Sequence, residues 1–374
     1  MTGALQGLLV ADFSRVLAGP YATMLLADLG ASVIKVEKPG TGDDTRTWVP
    51  PVTPDGRSTY FDSVNRNKQS LALDLTQDRD RKRAINLARQ ADIMVQNHKV
   101  GSLEKYGLDY PTIAAINPRL IYCSISGFGS SAGSQLPGYD LLVQAMGGLM
   151  SITGEDEPTK VGVALVDVVT GLHAAIGILA ALHAREKSGL GQHIDINLLS
   201  ALLSSMVNQT GAFALGGVTP QRMGNAHPSI APYEVFSTRD QPMVIAVGND
   251  SQFEQLCHTL ARDELVADPR FSTNRDRVEN RPLLKEILES ILATESAQYW
   301  TQLLNQAGVP CGPINSIDQA FDLASRLGLH PIVNGQVANP LTLSTSRIEK
   351  YQRAPLLGES TEEIVTLLSL DDDH

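Results

Sequence analysis

Apolar and polar positions alternate in blocks along the first third of the chain. Residues 8–13 form a short apolar run that predicts a buried strand. Residues 21–29 carry apolar side chains at helical spacing and stop at Gly30, a residue suited to a helix C-terminus. A second apolar run at 31–36 completes a strand–helix–strand unit within about 30 residues, which requires parallel strands. The pattern recurs as a strand at 70–75, a charged helix at 78–91, and strands at 92–96 and 119–125. This alternation predicts an α/β fold with a doubly wound parallel sheet.

From residue 139 to about 208 the pattern turns helical. Thr170 can cap a helix running to Glu186 that is apolar nearly all round, so burial is expected. Residues 189–191 break the chain, and 193–197 alternate as a strand. The glycine-rich stretch 211–224 reads as a linker. A second unit starts near Tyr233, with a strand at 243–247 and helices at 252–259, 281–294 and 297–307. Beyond Pro313 the final segment, including 348–358, has no core of its own and is expected to pack on the first unit. The expected division is a large domain of residues 1–205 completed by 320–374, a linker at 206–228, a small domain at 229–312 and a return linker at 313–319.

Composition narrows the classes. With 43% hydrophobic and 19% charged residues, the chain can build a core and is not a disordered polymer. Its longest nearly apolar stretch, 171–184, is interrupted by His173 and His183 and falls short of the roughly 20 residues of a membrane span. The opening residues lack a positive flank and a cleavage site, so no secretory leader is expected. Cys123, Cys257 and Cys311 are too few and scattered for a disulfide framework or a zinc site, which fits a reducing, cytoplasmic setting. A net charge of −11 argues against nucleic-acid and anionic-membrane partners. The charge is uneven, however. Residues 1–110 carry 14 basic and 13 acidic side chains, and the rest carry 16 and 28, so the first third could hold a modest polyanion.

No G-x-G-x-x-G follows the first strand, and P-loop, H-E-x-x-H and G-x-S-x-G patterns are missing, which argues against a nicotinamide cofactor or a metal. Ligands of open α/β sheets bind beyond the carboxyl ends of strands, which directs attention to the loops 14–19, 38–42, 97–101 and 126–129. Lys38, Lys68, Lys99 and Lys105, with Asn97 and His98, lie in or near these loops and could meet phosphates; spacing alone favours the simpler reading of a solvated face. Asp167, just before the apolar helix, reads locally as a capping carboxylate. The other reading is a nucleophile, ionised at neutral pH if it titrates near the ordinary value of about 3.9.

Six segments, 7–24, 28–39, 42–46, 65–68, 186–192 and 353–358, occur in the order of the class III CoA-transferase family, the formyl-CoA and carnitine CoA-transferase type, and resemble it over nearly the whole chain. The resemblance implies a large Rossmann-like domain built from both chain ends, a smaller α/β domain and an interlocked homodimer. It places the nucleophile at Asp167 and CoA contacts at Arg15, Val16, Leu17, Ala18, Lys38, Lys68, Leu71, Asn97 and Lys105. Relatives can carry Arg at positions 38 and 105, where lysine gives a point charge rather than a fork. No tightly bound cofactor is implied; CoA is a co-substrate.

The implied chemistry is covalent. Asp167 attacks an acyl-CoA thioester, giving an anhydride and CoA thiolate, then an aspartyl-CoA thioester from which CoA passes to an acceptor carboxylate. Backbone N–H groups of Ala18, Gly127 and Gly129 are candidate partners of the anionic intermediates. A racemase branch of the superfamily uses a His at the position of Tyr139, and a phenol is a poor base at neutral pH, so transfer is favoured over racemisation. The stretch 222–233 resembles the succinate/glutarate-type branch, which points to a dicarboxylate acceptor. Arg46, Arg222, His227 and Tyr139 are its candidate partners, with structural ion pairs and loop contacts as the competing role.

Overall fold

The computed structural model describes residues 3–348 and 351–372; residues 1–2, 349–350 and 373–374 of the expected large domain lie outside them. Six strands, β1 (Leu9–Asp12), β2 (Ser32–Glu37), β3 (Lys68–Ala72), β4 (Ile93–Gln96), β5 (Ile121–Ser126) and β6 (Gln192–Asn197), form one parallel sheet. Their order is β3-β2-β1-β4-β5-β6, so the winding reverses between β1 and β4 and a crevice opens at the carboxyl ends there. The helices as far as residue 216 are, in chain order, α1 (Ala18–Asp28), α2 (Thr59–Asn65), α3 (Asp78–Gln90), α4 (Tyr110–Ile116), α5 (Asp140–Met146), α6 (Leu149–Ile152), α7 (Leu165–Ser188), α8 (Leu198–Ser205) and α9 (Val207–Gly216). The mixed α/β class and the parallel sheet are those the sequence pattern predicts.

Three local expectations change. Strand β3 begins at Lys68 rather than residue 70, because Lys68 pairs in register with Val33 of β2. Helix α7 begins five residues before Thr170, whose hydroxyl donates to the Val166 carbonyl at 2.7 Å instead of capping. The helix is also not buried all round. Ala174, Ala175, Ile178 and Ala181 face the interior, whereas Leu172, Ile176 and Leu179 form an exposed stripe. By length and composition α7 could cross a membrane, yet it packs on α1, α5, α8 and β6 as a core helix does. It approaches α1 tightly at Gly171, where a Cβ would lie 2.7 Å from the Ala18 carbonyl oxygen. That contact sets Asp167, one turn earlier, near the start of α1.

The stretch expected as a linker opens with helix α9, which accommodates Gly211 and Gly216 and ends at Gly217 with φ 66°. The chain forms two compact units, Met1–Leu149 with Lys160–Thr219 and His330–His374, and Met150–Thr159 with Pro220–Leu329. Within the second unit, β7 (Tyr233–Phe236), β8 (Met243–Ala246) and β9 (Cys311–Pro313) form an antiparallel sheet. Helices α10 (Asp250–Thr259), α11 (Glu264–Ala267), α12 (Asn274–Glu279), α13 (Arg281–Leu292) and α14 (Ala297–Gln306) close a core that includes Phe236, Ile245, Phe253, Leu288, Trp300 and Leu304. Helix α15 (Ile317–Arg326), started by a capping box between Ser316 and Gln319, spans the end of the expected return linker and the start of the segment expected in the large domain, yet it belongs to the second unit, and the first resumes at His330. Back in the first unit come the short strands β10 (Ile332–Val333) and β11 (Gln336–Val337) and helix α16 (Thr361–Leu367). Ile364 and Val365 of α16 enter the core beside β3, and Thr361 Oγ1 accepts the Ala72 N–H at 3.0 Å.

Candidate active site

At the crevice of the first unit lies a cavity of about 390 Å³, walled by residues 15–18, 97–100 and 133–139, with Asp167 of α7 facing it. Asp167 is the third residue of its helix, and Ala164 before the helix offers no side-chain cap. The cap comes from elsewhere in the chain. Asp140, the first residue of α5, accepts the N–H groups of Val166 at 2.8 Å and Asp167 at 3.2 Å through Oδ1, while its Oδ2 accepts Gln144 Nε2 at 2.6 Å. The Asp167 carboxylate itself accepts no hydrogen bond among the described residues. Burial, and secondarily the charge of Asp140, push its pKa up to about 7. The expectation of an ordinary, fully ionised aspartate at neutral pH is thereby corrected. The capping position is occupied by Asp140, which frees Asp167 for the cavity. Tyr60 of α2 joins this group: burial, followed by Asp167, Asp140 and Asp43, holds its phenol above the ordinary value and therefore protonated. Nothing in the local sequence marks it.

Opposite Asp167 runs the loop that ends β1 and starts α1. Arg15 is half exposed and pairs with Asp44 at 3.3 Å. Leu17 and Ala18 line the cavity, and their N–H groups find no acceptor among the described residues. Asn97 stands against this loop, donating to the Arg15 carbonyl at 2.7 Å and accepting the Arg15 N–H at 2.8 Å. His98, also in the wall, is driven down to about 4 by burial and then by the charge of Arg15, so it is neutral at physiological pH. Lys99 is an exposed cation of the same wall.

The structure brings Arg15, Val16, Leu17, Ala18, Asn97, Tyr139 and Asp167 together around one cavity. Other candidates fall away from it. Lys68 is buried, and its ammonium is consumed by Asp12 at 3.0 Å, the Pro20 carbonyl at 2.9 Å and Asn65 Oδ1 at 2.9 Å. Three donors meet three acceptors, so a direct phosphate contact by this side chain is excluded. Leu71 points into the core with no exposure. Lys38 and Lys105 are exposed at the same carboxyl edge of the sheet but do not line the cavity; Lys105 lies 4.7 Å over the Tyr106 ring. Arg46 is a structural residue, forked onto Glu37 at 2.8 and 2.7 Å and stacked 3.7 Å over Phe61. The Gly129 N–H is taken by Ser126 Oγ at 3.2 Å. Arg222 and His227 belong to the second unit. There Arg222 donates to the carbonyls of Ser151 and Asp156, and His227 Nδ1 accepts the Ser229 N–H at 3.1 Å.

The fold matches that of a CAIB/BAIF family protein from Brucella suis, with a TM-score of 0.88 and 41% identity, covering 98% of this chain and 100% of that one. The family model described as CoA-transferase family III matches residues 5–361, and the chain belongs to that family, as an enzyme that transfers CoA. It is 42% identical over 374 residues to a succinyl-CoA:glutarate CoA-transferase of Mus musculus, covering 96% of this chain and 85% of that one. It is 41% identical over 350 residues to an acetyl-CoA:oxalate CoA-transferase of Acetobacter aceti, covering 91% and 90%.

Proposed function

We propose that this enzyme moves CoA from an acyl-CoA donor, such as succinyl-CoA, to a dicarboxylic acid, with Asp167 as covalent nucleophile. The observation that carries the reading is an unpaired carboxylate of raised basicity sharing one cavity with the unbonded N–H groups of Leu17 and Ala18. An Asp167 oxygen bonds to the thioester carbonyl carbon and the C–S bond breaks, giving an anhydride and CoA thiolate. The thiolate attacks the aspartyl carbonyl, releasing the donor acid and leaving an aspartyl-CoA thioester. The acceptor carboxylate then displaces the thiolate to form a second anhydride, and thiolate attack on its acyl carbon yields the new thioester and restores Asp167. No proton is gained or lost over the cycle, which suits a site in which Tyr60 and His98 both stay neutral. N–H donors stabilise the oxyanions that form at each step.

The dicarboxylate class rests on the glutarate- and oxalate-specific names of the relatives. Arg15 and the exposed Lys38, Lys99 and Lys105 at the carboxyl edge of the sheet supply charge for the CoA phosphates. The exposed apolar residues of α7 and the exposed Val207, Phe213 and Leu215 of α9 are candidate surfaces on which a homodimer would form. The unpaired cysteines suit a reducing, cytoplasmic setting. The test is a panel of carboxylic acids offered with succinyl-CoA and acetyl-CoA, with new thioesters read by mass and the Asp167 peptide searched for a CoA adduct. Turnover on dicarboxylates with the adduct on Asp167 supports the proposal; turnover without dependence on Asp167 sinks it.

A further inference from the structure

Val16, in the wall of the cavity, has φ 69°, a left-handed conformation that β-branched residues rarely adopt. The chain around it is held by side chains rather than by secondary structure. Asp12 Oδ1 accepts the Ser14 N–H at 3.0 Å, and Lys35 Nζ donates to the Ser14 carbonyl at 2.9 Å. Asn97 takes both backbone groups of Arg15, and the Asp43 carboxylate accepts the Val16 N–H at 3.2 Å. Asp43 is fixed in turn by Lys35, 2.8 Å away, with neither side chain exposed. Every backbone polar group from the Ser14 N–H to the Val16 N–H therefore ends on a side chain, and the next two N–H groups, of Leu17 and Ala18, are the ones left open to the cavity.

We propose that Asn97 is a positioning residue: with the buried Lys35–Asp43 pair it holds Val16 in its left-handed conformation, so that the Leu17 and Ala18 N–H groups face the bound thioester. This rests on the CoA-thioester reading of the cavity. It gives the Asn97 side chain a task distinct from touching CoA, since both of its polar atoms already meet the Arg15 backbone. A glycine at position 16 would occupy the same conformation without restraint, which supplies the test.

Asn97→Ala is made in the wild-type chain and in the Val16→Gly chain, both of which keep Lys35 and Asp43. In the wild-type background kcat/KM is expected to fall at least about 10-fold, and in the Val16→Gly background by no more than a third of that loss, as a positive coupling of neighbouring residues requires. A loss below about 3-fold in the wild-type background, or the same loss in both, overturns the proposal. A substrate-free arm follows hydrogen exchange of the residue 16 amide in the free enzyme, whose acceptor Asp43 every variant retains. Asn97→Ala should accelerate it in the wild-type background and leave it unchanged in the Val16→Gly background; unchanged exchange in the wild-type background overturns the proposal. A wild-type chain that does not bind CoA would end the functional reading, while the exchange arm would still decide the loop.

Discussion

Two aspartates of the first unit, Asp12 and Asp167, are treated in opposite ways. Asp12 ends β1 with no exposure and is surrounded by donors: Lys68 at 3.0 Å, Thr23 Oγ1 at 2.7 Å and the Ser14 hydroxyl. Burial alone would raise its pKa, but Lys68, Lys35 and the two hydroxyls outweigh burial and hold it at about 2. Asp167 sits at the cavity with no donor to its carboxylate among the described residues, and burial and then Asp140 raise it to about 7. The contrast shows that burial by itself does not decide what a carboxylate does. Where donors compensate, the group becomes scaffold; where they are withheld, it keeps its lone pairs and its basicity for chemistry.

Breaking the reactive member should have the largest effect. Asp167→Asn is expected to lower kcat/KM on the order of 10⁴-fold or more, because a covalent nucleophile has no substitute. The same variant should be more heat-stable than the wild type at pH 8 and not at pH 4, by scanning calorimetry. The sign follows from linkage. A carboxylate whose folded pKa is raised to about 7 costs stability as pH rises from its unfolded value toward 7, and asparagine has no such cost.

Breaking the scaffold member should act on the fold. Asp12→Asn leaves the Lys68 ammonium buried without its anion and should cost about 3–5 kcal/mol in urea unfolding at neutral pH. The wild type should lose the Asp12 contribution as pH falls from about 4 toward 2, since its folded pKa lies below the unfolded one. Equal unfolding midpoints for Asp12→Asn and wild type would show that the pair contributes nothing.

The link between α1 and the Asp167 helix is probed by Gly171→Ala, whose Cβ would meet the Ala18 carbonyl at 2.7 Å. A stability loss of about 1–3 kcal/mol is expected, with reduced kcat/KM as α7 is pushed from the loop. The smallest change sharpens the comparison by electrostatics alone. The kcat/KM of the wild type should rise with pH along a limb near 7. Asp140→Asn keeps an acceptor for the Val166 and Asp167 N–H groups and removes a charge, so the limb should move to lower pH. It should not reach an ordinary aspartate value, because burial is the larger cause. A limb that stays in place would mean that Asp140 only caps the helix.

The βαβ alternation, the order of elements and the carboxyl-edge loops were legible from the sequence, because periodicity and glycine placement are local properties. Asp167 was visible as a residue of interest, and its neighbours Arg15–Ala18 and Asn97 were placed in the right loops. The fate of each polar side chain was not visible. Lys68 and Arg46 look in sequence like ligands for anions, and the fold spends both on Asp12 and Glu37. Lys35 and Asp43 fall inside segments that carry the family resemblance, and Asp140 follows Tyr139, but their roles were not legible because their partners lie elsewhere in the chain.

The sequence by itself therefore determined the class of fold, the family and the set of loops at the crevice, all of which follow from short-range pattern and motif order. Only the tertiary structure decided which charges are neutralised and which are left open. That choice depends on donors within hydrogen-bond reach and on exclusion of water, two quantities that arise when distant segments close over the same few ångströms.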